Sequence, residues 1–169
     1  YKMNNRKVYI SGEIVPEVDA KISIFDSAVL LGDTVTESTR TFNFKPFKLD
    51  EHLERLYKSF KLTRIDPQMT IEEMKKVSLE LLEINKDNYK ANEDCWLVHN
   101  ISRGHSITGG NPALQVSKPT VMIYTQPMNL VSWAPFYRKG CHAVTPPTRM
   151  VPSQSLDTRI KNRSRLFYT

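Results

Sequence analysis

The stretch GDTVTESTRTFNFKPFKLDEHLERLYKSFKLTRI, residues 32–65, decides how the rest of this chain is read. It opens on the turn pair Gly32-Asp33 and enters Thr34 to Phe44, where threonine, valine and phenylalanine favour a strand. Asn43-Phe44-Lys45-Pro46 makes a break, and Phe47-Lys48-Leu49 reads as the short return strand of a hairpin. Asp50 then stands at an N-cap position, ahead of a helix. Leu53, Leu56, Tyr57 and Phe60 follow at three- and four-residue spacing and give that helix one apolar stripe. His52 and Arg55 share a side near its start.

This order of strand, hairpin and D-E-H-L-E-R-L helix start resembles the core motif of the class IV aminotransferases. These are the fold-type IV enzymes that use pyridoxal 5'-phosphate (PLP); they include branched-chain and D-amino-acid transaminases and aminodeoxychorismate lyase. The family pattern, a G-D-x-x-x-E strand before an H-x-x-R-L helix, falls on Gly32, Asp33, Glu37, His52, Arg55 and Leu56. The family arginine binds the cofactor phosphate, a role the resemblance gives to Arg55, and a guanidinium fork suits phosphate oxygens. On spacing alone, a solvated helix arginine paired with a carboxylate one turn away is the plainer reading; the combined pattern outweighs it.

A length of 169 residues suits one ordinary domain or two small ones. The 40% hydrophobic and 25% charged content describes a soluble globular chain able to form a core. No apolar run has membrane-spanning length, and the start lacks a signal-peptide core, so a cytoplasmic protein with no membrane partner is expected. Cys95 and Cys141 stand apart from each other and from any histidine at ligand spacing; they read as reduced, buried thiols, and no metal site is expected. Beginning at Tyr1 and ending at Thr169 just inside an apparent helix, the sequence reads as a piece of a longer protein.

Along the chain, Lys7 to Val15 reads as a hairpin about Gly12. Lys21 to Leu31 suggests a buried strand or tight connection, with Phe25-Asp26 matching an aromatic-Asp pair of the family. Thr70 and Glu73 form a capping box ahead of an amphipathic helix through Ile71, Met74, Val77, Leu81 and Ile84. Cys95 to Ile101 is a strand with Trp96, Val98 and Asn100 on one face and Leu97, His99 and Ile101 on the other. Ser102-Arg103-Gly104 resembles the family's V-T-R-G strand end, and His99 reads as a hydrogen-bonded structural histidine. Pro119 to Gln126 is a core strand; Pro127 to Pro135 has linker composition, and Gly140 to Met150 supports an edge strand. The expected class is α+β with layered helices and strands. An N-terminal α/β domain occupies 1–126, a linker 127–135, and 136–169 opens a C-terminal PLP-binding domain.

The net charge of +6 brings nucleic acid into consideration, and half of it lies in the last nineteen residues. There Arg159, Lys161, Arg163 and Arg165 face one acid, Asp157. The family carries its PLP lysine after a G-x-x-V strand and before a helix, and the resemblance places that Schiff-base lysine at Lys161. An isolated lysine is protonated at neutral pH, so the neighbouring arginines are expected to supply cationic surroundings. The resemblance also implies a substrate pocket lined by Thr36, Ser38, Arg40, Trp96 and Val98. Thr36 replaces the aromatic residue of branched-chain transaminases, and the R-x-H of D-amino-acid transaminases is replaced by Ile107-Thr108-Gly109-Gly110. The implied function is amino-group transfer between an amino acid or amine and a 2-keto acid, in a homodimer completed by the loop Gly104–Ser117. A PLP lyase of the aminodeoxychorismate type is the second reading. A basic nucleic-acid-binding domain is the third, weakened by the lack of interleaved aromatics.

Overall fold

β3 (Thr34–Phe42) is built from β-branched and small polar residues that suit a pleated surface, and it anchors the sheet of this computed structural model. The structure describes residues 5–90, 93–105, 118–147, 149 and 151–164. At the end of β3, Asn43 and Phe44 both take positive φ, so the chain reverses in two residues and β4 (Lys45–Pro46) pairs back onto it. The return strand therefore comes two residues earlier than the sequence suggests. Lys48, in the left-handed region, then turns the chain into α2 (Leu49–Thr63) and occupies the N-cap position expected for Asp50. Asp50 and Glu51 lie in the first turn, where a carboxylate meets the positive end of the helix.

Two further strands pair antiparallel alongside β3. These are β5 (Cys95–Ser102) and β6 (Thr120–Pro127), with Glu37 opposite His99 and His99 opposite Ile123. The N-terminal hairpin of β1 (Lys7–Ile10) and β2 (Glu13–Pro16), turning on Ser11-Gly12, completes the order β2-β1-β6-β5-β3-β4. α3 (Ile71–Asn85) begins at the Thr70–Glu73 capping box and lies with α2 on one face of the sheet. Tyr9, Val35, Leu97, Ile101, Val121 and Ile123 on that face meet Leu53, Leu56, Phe60, Met74 and Leu81 of the helices. Each fully buried aliphatic side chain stabilises the fold by roughly 1.5–3 kcal/mol. The layered α+β class is as expected.

Of the two forms open to Lys21 to Leu31, the strand is not found and the tight connection is: the Asp26 carboxylate accepts from the Ala28 amide, caps the short α1 (Ser27–Leu30), and also accepts from the Thr120 hydroxyl. A local cap and a long-range anchor outweigh two alternating isoleucines, which stay at least partly exposed. Other stretches depart from the sequence reading. Within Pro127 to Pro135 lies the start of a helix, α4 (Leu130–Lys139), capped by Asn129 accepting from the Ser132 amide. The described residues of 140–150 contain no strand, consistent with the two donors that Pro146-Pro147 removes. Cys95 is buried as expected, but Cys141 is exposed. No helix among the described residues is long and apolar enough to cross a membrane.

Arg103 fastens the beginning of β3 to the end of α2. Its Nε donates to Asp33 Oδ2 at 2.8 Å, while Nη1 and Nη2 donate to the carbonyls of Arg64 and Thr63, each at 3.0 Å. A cation at a helix C-terminus also complements the helix dipole. Arg103→Ala is expected to lower the unfolding free energy by about 2–3 kcal/mol, the scale of lost charge-assisted hydrogen bonds. Arg103→Lys, with no planar fork, should recover less than half of that loss in urea titrations.

Candidate active site

Period-two alternation places Val35, Glu37 and Thr39 on the helix-covered face of β3, so a carboxylate lies within the core. Glu37 is fully buried, and a charge there requires close partners. α2 supplies two of them. Arg55 donates from Nε to Glu37 Oε2 and from Nη2 to Oε1, both at 2.7 Å, and His52 Nδ1 lies 3.1 Å from Oε1. The Ser38 amide donates to Oε1 at 2.8 Å. The shared helix side of His52 and Arg55 is thus the side that reaches this carboxylate. Arg55 does pair with an acid, but with one on the adjacent strand and not one turn along its helix.

The fourth partner arrives from the far end of the chain. Thr36 N donates to the Lys161 carbonyl at 2.9 Å, and Arg163 N to the Thr34 carbonyl at 3.0 Å. An antiparallel bridge between Val35 and Asn162 joins these two bonds, so the chain around Lys161 lies extended beside β3. From there Lys161 Nζ donates to Glu37 Oε1 at 2.9 Å. This corrects two expectations. Lys161 stands on an extended segment, not at a helix start, because β3 offers it free backbone groups to pair with. Its immediate partner is a carboxylate, whereas Arg159 is engaged with Asp157; Arg165 lies outside the described residues.

Burial alone would raise the pKa of Glu37. Hydrogen bonds from Arg55, Lys161 and the Ser38 amide, with the Lys161 charge, overcome this and hold it down at about 2. Opposite it, His99 is fully buried and its pKa is pushed down to about 4, chiefly by burial; Glu37 opposes that shift, and His52 and Lys161 add to it. The Ser78 hydroxyl donates to the Met74 carbonyl, so His99 Nε2, 2.8 Å from Ser78 Oγ, is the protonated nitrogen. His99 is the neutral, hydrogen-bonded structural residue its position suggested.

The expected substrate residues occupy the other face. Register places Thr36, Ser38 and Arg40 opposite Asn100, Val98 and Trp96, so all five named side chains share the face turned away from α2. Thr36 and Val98 are buried, and the Thr36 hydroxyl donates to the His99 carbonyl. Ser38, Arg40 and Trp96 are half-buried, with the Arg40 guanidinium 3.8 Å from the Phe42 ring centre. Further along the sheet, Val8, Ile10, Met122 and Tyr124 help to line a cavity of about 330 Å³. The loop Gly104–Ser117 lies outside the described residues beyond His105.

Glu37 stands in the motif without a role that its residue type alone would assign. The signal was a charged residue in phase with Val35 on an otherwise buried strand face. Ser59 gave no such signal; its Oγ accepts from the Lys161 amide at 3.4 Å. The donor set fits a phosphorylated aldehyde. Arg55 turns one edge to Glu37, its side chain is 51% exposed, and among the described residues Nη1 makes no hydrogen bond, which leaves it for an anion. Lys161 brings an amine to the same place.

The model of the family described as "Amino-transferase class IV" matches residues 34–169. This chain belongs to the class IV aminotransferases. The family uses PLP. A Methanocaldococcus jannaschii protein provisionally named a branched-chain-amino-acid aminotransferase is 35% identical over 156 residues, 92% of this chain and 51% of that protein. The D-alanine aminotransferase of Staphylococcus epidermidis is 32% identical over 120 residues, 71% of this chain and 41% of the relative. In fold, the chain is similar to the Escherichia coli branched-chain amino acid aminotransferase, with a TM-score of 0.80 at 22% identity, covering 94% of this chain and 51% of that one. The chain thus spans about half the length, or less, of the relatives it matches.

The two buried groups give stability a defined pH dependence. His99, depressed from 6.5 to about 4, contributes stability that is present above pH 6.5 and lost as pH falls toward 4. Glu37, depressed from 4.5 to about 2, contributes stability present above pH 4.5 and lost below it. Unfolding free energy is expected to fall by roughly 2–3 kcal/mol between pH 7 and 4 on account of His99. Denaturant titrations of a His99→Gln variant should show a flatter profile in that window and an unchanged fall below it.

Proposed function

We propose that the intact protein is a PLP-dependent aminotransferase that moves an amino group between an amino acid or amine and a 2-keto acid. In this reading Arg55 binds the cofactor phosphate and Lys161 carries the cofactor. The observation that supports it is the convergence of Arg55 and Lys161 on one buried carboxylate. When bound, the cofactor supplies an aldehyde for amines and a conjugated ring that takes up electrons from the substrate carbon. The chain's own residues do the rest. The outward edge of Arg55 holds the phosphate and fixes its direction. Lys161 Nζ would hold the cofactor through its amine and, when freed by an incoming substrate amine, would move a proton at the substrate carbon. The substrate carbon has to meet Lys161 at the edge of β3, so Thr36, Ser38, Arg40, Trp96 and Val98, on the opposite face, bear on the substrate only where that face reaches the same edge.

The proposal extends to the surroundings of the site. Residues 1–126 form the first domain, 127–135 the connection, and 136–169 the opening of the cofactor domain. A homodimer is supported by α4, which exposes Val131, Phe136 and Tyr137 at 84%, 56% and 84%. A cytoplasmic setting is supported by the free, buried Cys95.

Treating the PLP-loaded intact protein with borohydride should fix the cofactor mass to a peptide containing Lys161. Lys161→Ala should abolish this label, and Lys118→Ala or Lys139→Ala should leave it. A label on another lysine would overturn the site assignment. Arg55→Ala is expected to weaken PLP binding by about 1.5–3 kcal/mol, and Arg64→Ala to do little; equal losses would indicate general charge only.

Sedimentation of the intact protein at micromolar concentration should show a dimer. A monomer alone would remove that part of the proposal.

A further inference from the structure

Glu37 is unlike an ordinary ion-pair partner. Its two oxygens meet donors from α2, from β3 and from the extended segment carrying Lys161, and its own side chain has no exposure. We propose that Glu37 is the positioning residue of the cofactor site, which orients Arg55 for phosphate and docks Lys161 beside it. This rests on the aminotransferase reading above and assigns the part of the motif that reading leaves without a task.

The argument begins with Arg55. Its side chain is half-exposed on a helix, where a long side chain samples many rotamers. Contact through both Nε and Nη2 fixes the plane of the guanidinium as well as its position. Nη1 is the nitrogen not engaged by Glu37, while Nη2 also lies 3.3 Å from His52 Nδ1. A lysine at position 55 could not be oriented in this way, since an ammonium has no plane.

The same carboxylate holds Lys161 Nζ through Oε1, so the amine and the phosphate-binding edge are referenced to one rigid point on the sheet. The charge balance is also suitable. Arg55 and Lys161 against Glu37 leave one net positive charge, which favours an incoming phosphate. When Lys161 turns to the cofactor, Arg55, the Ser38 amide and His52 still face the carboxylate. Glu37 therefore has partners for its charge whether or not the lysine is present, as a buried carboxylate requires.

A positioning role acts through Arg55, and this separates it from general support of the fold. In the intact protein, PLP affinity would be measured by absorbance titration for wild type, Glu37→Gln, Arg55→Ala and the double variant, with thermal melting of each. Glu37→Gln and Arg55→Ala are each expected to weaken PLP binding at least tenfold. The double variant should lose no more than about a further twofold relative to Arg55→Ala, because the two act as a unit. Multiplying losses would overturn the proposal, as would wild-type affinity in Glu37→Gln. If Glu37→Gln does not fold, Glu37→Asp carries the same cycle: it keeps the charge but is one methylene short of spanning both partners.

The lysine arm is read with pyridoxal, which lacks the phosphate. After borohydride, the share of label on Lys161 relative to other lysines should fall at least fivefold in Glu37→Gln or Glu37→Asp. An unchanged share would overturn the docking of Lys161. Wild-type protein labelled elsewhere than Lys161 would sink the aminotransferase site itself. Correct labelling with multiplying losses would sink only the role of Glu37.

Discussion

A single carboxylate in the hydrophobic layer sets the conditions the rest of the structure meets. Glu37 has no contact with water, and an unpaired charge in that position would cost several kcal/mol. Its partners must therefore come to it. One arises from the following residue of its own strand, two from the helix packed above, and one from a segment added along the strand's free edge. Each brings its element into a fixed relation with the sheet. Hydrophobic contacts supply most of the stability, but they are tolerant of small shifts, whereas these bonds are directional. Precision in the site follows from a polar demand inside an apolar layer.

The pleat of β3 then divides labour between adjacent residues. Glu37 points to the helices and the groups suited to a cofactor, while Thr36 and Ser38 point to the opposite face. Consecutive residues of one strand thus address two sides of the sheet, and a one-residue slip would exchange them. Pairing of β3 with β5 over seven opposed residue pairs makes such a slip costly, and Arg103 pins the start of the strand to the end of α2.

Much of this was legible in the residues. Alternation in β5 placed Trp96, Val98 and Asn100 opposite to Leu97, His99 and Ile101, and Thr70 with Glu73 marked where α3 begins. The family pattern led to Arg55 and Lys161, which the fold brings together. Lys21 to Leu31 left a buried strand and a tight connection both open, and the Asp26 carboxylate, serving an amide two residues on and a threonine on β6, decides for the connection. The failures came where local composition and long-range contacts disagree. Asp50 had the chemistry of a cap, but a two-residue reversal at Asn43-Phe44 moved the helix start ahead of it. For Lys161, the nearby arginines suggested its surroundings, while its real partner lies 124 residues away. No local spacing can express such a contact.

That separation also orders events during synthesis. Chains emerge from the N-terminus at about 5–20 residues per second, so Glu37 precedes Lys161 by roughly 6–25 s. In that interval β5, β6 and both large helices have been made. Had the carboxylate depended on the lysine alone, the nascent sheet would have had to enclose a bare anion or wait. Arg55 and His52, only 18 and 15 residues downstream, reach it almost at once and allow the helix to close over the sheet. The lysine then joins a cradle already assembled. On the reading proposed above, the arginine assigned to the phosphate serves first as a partner for the buried carboxylate.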